Sequence, residues 1–230
     1  MKRAQRTTPP PDPTRRRILL VDDHPFMRAG LAQLIDRQAD LTVCGEAGNP
    51  SEALEQCARL RPDLVLTDLT MPGRSGLEFV KDLRAAQPDA TVLVISMHDE
   101  AVYAERSLRA GARGYIMKEA GGENLLAAIR QVLRGGIYVS SAMSARILEG
   151  LSGGKPRGSN SPIEKLSDRE FEVFQLIGQG KSTRDIAEQL HLSPKTVDVH
   201  RSHIKEKLEL KDVTALIRHA VRWVETQGQA

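Results

Sequence analysis

Residues 64–79 read LVLTDLTMPGRSGLEF, and the fold follows from how that stretch is parsed. Leu64, Val65 and Leu66 make a short apolar run that ends at Thr67 and Asp68. Met71-Pro72-Gly73 and then Gly76 break any regular element beyond it. An apolar strand halted by a carboxylate, with Gly and Pro just after, puts that carboxylate at the carboxyl edge of a sheet. In open α/β sheets ligands bind at that edge. A lone Asp after a strand is usually no more than a turn residue. The neighbouring segments decide whether Asp68 is alone.

Upstream, ILLV (18–21) is a buried strand that ends in Asp22-Asp23. Pro25 to about Gln38 then carries Phe26, Leu31, Leu34 and Ile35 on one helical face. Thr42 to Ala47 makes a second strand. Asn49-Pro50-Ser51-Glu52 opens a helix with an N-cap, a Pro at the first helical position and a Glu at the third. Downstream of Asp68, Leu77, Val80 and Leu83 mark a helix, and TVLVIS (91–96) is strand four. A helix runs from about Asp99 to Ala110, GYIM (114–117) is strand five, and Glu123 to Arg134 is the fifth helix. Five successive βα units call for a doubly wound parallel sheet with helices on both faces.

The 230 residues suit two modest domains. With only 3% aromatic residues, the cores must be built from Leu, Val, Ile and Ala. No apolar run reaches membrane-spanning length, which argues against a membrane protein. The opening MKRAQRTTPPPDPTRRR has no apolar stretch of the kind a secretory signal needs, so a disordered basic tail over residues 1–16 and a cytoplasmic location are expected. Cys44 and Cys57 lack metal-ligand spacing and read as small buried hydrophobes. Residues 1–17 hold six basic side chains against Asp12, whereas the whole chain is only +3. The remainder is therefore net acidic, and bulk charge is no evidence for nucleic-acid binding.

The carboxyl ends of the strands carry Asp22-Asp23, Asp68, Ser96 and Lys118, all at one edge of a parallel sheet. Three carboxylates gathered there repel one another, with raised pKa values, unless a cation joins them. Hard oxygen ligands with room for water suit Mg²⁺. A metal-neutralised Asp68 is a plausible nucleophile toward a phosphoryl group, with Ser96 and Lys118 placed to contact its oxygens. On these residues, Ile18 to Arg134 resembles the receiver domain of a two-component response regulator. The resemblance implies Asp68 as phosphoacceptor, Asp22 and Asp23 as the acidic pair, Ser96 as the switch hydroxyl and Tyr115 as the switch aromatic. It also implies a backbone carbonyl from Thr70 in the metal shell. Glu119 follows Lys118 where many receivers have proline. The competing enzyme is an aspartyl-phosphate phosphatase of the haloacid-dehalogenase type. It needs an Asp two residues after the nucleophile, where this chain has Thr70.

After Arg134, GGIYVSSAMSARILEGL holds a short helix from Ser141 to about Leu151, and SGGKPRGSNSP (152–162) has the composition of a flexible connector. Leu166-Ser167-Asp168-Arg169-Glu170 is a capping box with a hydrophobic staple to Phe171. The first helix of this half ends around Gly178 to Gly180, and Ser182 or Thr183 caps the second. Ser193-Pro194 starts the third, whose inward stripe is Val197, Arg201 or His200, Ile204 and Leu208, and Val213 to Val224 is the fourth. Two short helices joined by a tight turn describe a helix-turn-helix.

This half resembles a LuxR-type DNA-binding domain, and the whole chain beyond its tail resembles a NarL/FixJ-type response regulator. The resemblance implies that Asp198, Val199 and Ser202 reach base edges, with Lys195, Thr196, Arg201 and Lys205 contacting phosphates or supporting the helix. His200 and His203 lie three apart on one helix but no further ligand completes a metal shell, and His24 and His98 are expected to hydrogen-bond locally.

The expectation is a four-part chain: tail 1–16, receiver 17–135, linker with a short helix 136–163, and DNA-binding domain 164–226. It would be a phosphorylation-switched regulator, not an enzyme, with a histidine kinase, a double-stranded DNA operator and a second copy of itself as partners. A phospho-relay or protein-binding adaptor is the alternative. On phosphorylation, Ser96 would be drawn inward and Tyr115 would follow into the vacated space. On the fourth output helix, Leu216 with Ala220, or Val213 with Ile217 and Val224, would form the stripe that pairs two copies.

Overall fold

Strands β1 (Arg16–Val21), β2 (Leu41–Ala47), β3 (Leu64–Thr67), β4 (Val92–Ser96) and β5 (Gly114–Met117) form one parallel sheet in the order β2-β1-β3-β4-β5. The computed structural model describes residues 15–71, 76–151 and 162–227. The turn residues Pro72 and Gly73, the connector at 152–161 and the tail up to residue 14 lie outside the described residues. Each strand is joined to the next by a helix: α1 (Pro25–Asp36), α2 (Pro50–Leu60), α3 (Gly76–Ala86) and α4 (Glu100–Ala110), with α5 (Gly122–Leu133) after β5.

Strand periodicity sorts the apolar side chains onto two faces. Ile18, Leu20, Leu64, Leu66, Leu93, Ile95 and Ile116 pack under α1 and α5 with Leu31, Ile35, Ile129 and Val132. Leu19, Val21, Val65, Val92, Val94 and Tyr115 belong to the other cluster, with Cys57 of α2, Phe79 and Leu83 of α3, and Tyr103 of α4. Each such side chain, fully enclosed, stabilises the fold by about 1.5–3 kcal/mol before entropy is counted. Cys44 is half-buried and Cys57 fully buried, and burial pushes the Cys57 thiol up to about 12.

Helix ends obey local chemistry. Asn49 accepts from Glu52 N at 2.9 Å with Pro50 at the first helical position, and Asp99 accepts from Ala101 N at 2.9 Å. Three assignments shift. Phe26 is 95% exposed, because it stands at the very start of α1, whose buried positions Leu31, Ala32 and Ile35 come later. Arg15 and Arg16, read as tail, belong to the sheet domain: β1 starts at Arg16, and Arg15 donates to the carbonyls of Asp36 (3.0 Å) and Gln38 (2.7 Å). The start of the assigned linker also belongs there. Tyr138 extends the edge of β5 through Tyr115 N to Tyr138 O (2.9 Å) and Tyr138 N to Arg113 O (3.0 Å). A Cβ at Gly114 would sit 2.7 Å from that Tyr138 oxygen, so glycine permits the pairing. Helix α6 (Ser141–Leu151) then buries Met143.

The second half is all helical: α7 (Asp168–Gly178), α8 (Thr183–Gln189), α9 (Pro194–Lys207) and α10 (Val213–Gln227). The capping box is present at α7, where Ser167 N donates to Glu170 Oε2 at 2.7 Å, and a second one, Ser182 with Asp185, starts α8. Phe171, Phe174, Ile186, Val197, Ile204, Leu216 and Ala220 form the core of this domain. The two domains touch. Tyr103 of α4 meets Phe171 edge-on at 5.5 Å, and Lys81 and Arg106 both bind Asp168. The described residues contain no helix long and apolar enough to cross a membrane.

Candidate functional site

The carboxyl edge of the sheet gathers the residues that the strand ends carry. Asp22 follows β1 and Asp68 follows β3, paired through Asp68 N to Val21 O at 2.8 Å, and both carboxylates are buried. Lys118, one residue past β5, reaches between them, with Nζ 2.7 Å from Asp22 Oδ2 and 2.7 Å from Asp68 Oδ2. Its side chain is only 6% exposed. Asp68 Oδ1 accepts the backbone N–H groups of Leu69 (2.6 Å) and Thr70 (3.2 Å). That turn is held by Gly76, whose N–H returns to Leu69 O at 3.0 Å, and a Cβ there would lie 2.4 Å from Leu69 Cα.

Burial pushes the Asp68 carboxyl above its ordinary range, Lys118 opposes the shift, and the charge of Asp22 adds to it. For Lys118, burial alone would lower the ammonium, but Asp68 and Asp22 outweigh it and hold it above its ordinary value. Two acids share one cation, so the pocket has an excess of negative charge.

Ligand atoms of Asp22, Asp23, His24 and Asp68 lie within 4.8 Å of one another. Asp23 Oδ1 is buried without a hydrogen bond, although His24 Nδ1 lies 2.8 Å from it. A buried carboxylate oxygen with no donor, among other carboxylates, fits a hard divalent cation. His24 otherwise serves Asp22, donating its backbone N–H to Oδ1 at 2.7 Å. Arg28 braces the same turn by donating to the Asp22 carbonyl.

Ser96 closes β4 fully buried, and its Oγ accepts from His98 N at 3.1 Å. Tyr115 is also fully buried and donates from its hydroxyl to the His98 carbonyl at 2.7 Å. The expected inward movement of Tyr115 therefore has no outward starting point in this structure: the side chain is already fully buried, in the same core cluster as Val94 and Tyr103. His98 Nε2 lies 2.9 Å from Thr70 Oγ1, and burial, with Lys118 adding to it, lowers its imidazole below the usual value.

In the helical domain, α9 starts at Ser193, which accepts from Thr196 N at 3.1 Å. Lys195, Asp198, Val199 and Ser202 are exposed, Val199 at 46%, while Val197 and Ile204 face the core. Thr196, Arg201 and Lys205 are half-buried. Arg201 donates to Thr183 Oγ1 at 2.5 Å and so ties α9 to the start of α8. Glu170 of α7 holds Lys207 at 2.6 Å, with His203 3.6 Å away. Burial tends to raise the Glu170 carboxyl, but Lys207 and Ser167 overcome it and keep it low. A helix lying across a second one, its polar face free, is a form that fits a DNA groove.

Residues 18–130 match the response regulator receiver domain, and residues 164–220 match the bacterial regulatory proteins of the luxR family. The oxygen regulatory protein NreC of Staphylococcus carnosus is 35% identical over 210 residues, covering 90% of this chain and 97% of that protein. The chain belongs to the response regulator family. The chain is also similar to a crystallised LuxR-family response regulator from Aurantimonas sp., 35% identical over 60% of this chain and 99% of that one, TM-score 0.56. RcsB of Salmonella enterica, solved on promoter rprA DNA with a phosphomimetic, shares the fold at 23% identity and TM-score 0.60 over 90% of this chain and 98% of its own. This response regulator is thus a receiver domain followed by a LuxR-type output domain.

Sequence reasoning missed several residues that shape this site. Arg28, Thr70 through its hydroxyl, Tyr103, Arg106 and Asp168 carried no motif signal.

Proposed function

We propose that this response regulator accepts a phosphoryl group on Asp68 from a partner histidine kinase and, so modified, binds a double-stranded DNA operator to control transcription. The observation that carries this reading is Asp68 itself: buried at a sheet edge, with its carboxyl raised above its ordinary pKa, and sharing Lys118 with Asp22. Asp22, Asp23, Asp68 and the Thr70 carbonyl are the groups that would hold Mg²⁺. When bound, Mg²⁺ supplies the positive charge that lets a carboxylate approach a phosphoryl group.

The chain's own residues do the rest. An Asp68 oxygen forms the new P–O bond, and the P–N bond to the kinase imidazole breaks with its electron pair left on nitrogen. Lys118 Nζ, already against Asp68 Oδ2, follows the charge onto the phosphoryl oxygens. Ser96 offers its hydroxyl from the end of β4, and Tyr115 is a packed support for the His98 carbonyl. The absence of an acid two residues after Asp68 favours a lasting phospho-aspartate over turnover, so the chain acts as a signalling protein and not as an enzyme on a separate substrate.

For DNA, Asp198, Val199 and Ser202 are read as base-edge contacts, and Lys195, Thr196 and Lys205 as phosphate contacts. Arg201 is read as support, on the strength of its bond to Thr183. Pairing of two copies through α10 is supported by Val213 and Ile217, exposed at 42% and 41%. Leu216 and Ala220, the other stripe considered, are fully buried in their own domain and are set aside. Two-fold pairing would set recognition helices about 34–36 Å apart, one DNA turn. We place the receiver at about 15–151, the output domain at 164–226, and the protein in the cytoplasm.

The test is labelling of the full chain with a small phosphodonor. Wild type should take up hydroxylamine-sensitive label only when Mg²⁺ is present, and Asp68→Asn should take up none. Equal labelling of Asp68→Asn removes the assignment. Genome-wide DNA capture with the same two proteins then identifies the operator.

A further inference from the structure

Arg28 of α1 reaches the acidic edge from behind, through the backbone. Its Nη1 donates to the main-chain carbonyl of Asp22, and its Nε stands 3.5 Å from Glu46 Oε2 of β2. The side chain is only 12% exposed, and Nε is buried without a hydrogen bond. A Cβ at Gly48, where β2 leads into α2, would lie 3.8 Å from the same Nη1. The guanidinium therefore fills the space between the exits of β1 and β2. The other side of the Asp22 backbone is tied to β2 as well, since Asp22 N donates to Ala47 O at 3.1 Å.

We infer that Arg28 is a positioning residue for the cation: it fixes the Asp22–Asp23 peptide, and with it the aim of both carboxylates, so that the acidic edge takes a small divalent ion. This inference rests on the reading of Asp22, Asp23 and Asp68 as the Mg²⁺ site. The Asp22 carbonyl and the Asp23 N–H belong to one planar peptide unit. A guanidinium on that oxygen sets the plane from which both side chains depart. The Asp22 carboxylate has anchors of its own, with His24 N 2.7 Å from Oδ1 and Lys118 Nζ 2.7 Å from Oδ2. Asp23 Oδ1, by contrast, is buried and accepts no hydrogen bond, with His24 Nδ1 2.8 Å away. Its aim depends on the peptide behind it.

A role through charge alone would have the opposite sign. A guanidinium beside the site repels a divalent cation, so its removal would tighten binding. A role through geometry weakens binding, and does so unequally for two ions of the same charge. Mg²⁺ demands near-ideal octahedral geometry, whereas Ca²⁺ accepts looser and more numerous oxygen ligands. Loss of the brace should therefore cost Mg²⁺ more than Ca²⁺, while loss of charge would move both together.

The experiment titrates the full, isotope-labelled chain with Mg²⁺ and, separately, with Ca²⁺. The readout is the NMR shift of the Leu69 and Thr70 amides, which donate to Asp68. Arg28→Met should weaken Mg²⁺ about ten-fold, the lower end for loss of a group that orients a metal ligand, and Ca²⁺ by under about three-fold. Arg28→Lys keeps the charge but gives up the planar fork, and should also lose Mg²⁺ selectively, by about three-fold or more. Dispersion of the other amide signals shows whether each variant is folded, and Arg28→Lys carries the test if Arg28→Met does not fold. Mg²⁺ binding as tight as wild type in either folded variant overturns the inference, and so does an equal loss for the two ions. Asp23→Asn should lose the Mg²⁺ response. A wild type indifferent to Mg²⁺, or a response that Asp23→Asn leaves unchanged, defeats the reading of the acidic edge as a cation site and the inference with it.

Discussion

Lys118→Met is the substitution whose cost the pocket geometry sets most directly. Lys118 Nζ sits 2.7 Å from one oxygen each of Asp22 and Asp68, and the three side chains are 6%, 1% and 4% exposed. Methionine keeps the unbranched shape and removes the charge. Breaking a buried ion pair from one side costs roughly 3–5 kcal/mol, because the remaining charge is left uncompensated. Here two carboxylates are left, which argues for the upper half of that range. In a chain of this size each kcal/mol moves the unfolding midpoint by about 2–4 °C, so in chelator the variant should melt on the order of 10 °C below wild type.

Two dependences separate this electrostatic cost from mere loss of packing. A carboxyl whose folded pKa lies above its unfolded value costs stability above that pKa and ceases to do so as pH falls through it. Asp68 is shifted upward, so the gap between variant and wild type should narrow as pH is lowered from neutrality toward the ordinary carboxylate range. Mg²⁺ should narrow it too, since a ligand at a hundredfold excess over its Kd adds about 2.7 kcal/mol to the native state and the more acidic variant binds it more tightly. The assay is thermal unfolding followed by circular dichroism, in chelator and in Mg²⁺, at several pH values. Lys81→Met, an exposed partner of Asp168, is the control and should cost under about 1 kcal/mol. A Lys118→Met gap below about 1 kcal/mol, or one indifferent to both pH and Mg²⁺, would refute the reasoning.

Three further outcomes are expected. Asp198→Ala should change base preference in a binding-site selection, whereas Lys205→Ala should weaken all sites alike and flatten the salt dependence by about one unit of slope; identical behaviour would undo the sorting of contacts. Val213→Asp should stay folded yet lose the advantage of a paired over a single half-site in gel-shift titrations, while Ala220→Asp, fully buried, should unfold the output domain by circular dichroism. Arg201→Met should lower output-domain stability by about 1 kcal/mol through loss of its bond to Thr183, with little change in which base sequence is preferred.

Much of the receiver pocket was legible because strand-end chemistry is local. A run such as Leu64 to Thr67 can only be a strand if it is buried, and in a parallel βα repeat every strand delivers its last residue to the same edge. Asp22, Asp23, Asp68, Ser96 and Lys118 were therefore collected at one edge without any knowledge of distances. The caps at Asn49, Ser167 and Ser193 were legible for the same reason, since each joins residues three positions apart. Phe26 was misplaced because helical periodicity marks a face but not where the helix stops overlapping its neighbour. The α10 stripe stayed open because Val213, Leu216, Ile217 and Ala220 are all apolar, and only packing against α7 separates Leu216 and Ala220 from the exposed pair.

The order and type of elements, the acidic edge and the helix-turn-helix were determined by the sequence alone, through hydrophobic period, capping chemistry and motif spacing. Tertiary structure alone decided the rest. It put Lys118 between two carboxylates, turned Tyr115 inward onto the His98 carbonyl, and committed Arg201 to Thr183. It also joined Tyr103 to Gln175, 72 residues apart, and Lys81 to Asp168, 87 apart. Such contacts leave no periodic trace, because a long polar side chain on a helix surface has the same local pattern whether water or another domain satisfies it. Only the docking of one domain on the other distinguishes the two cases.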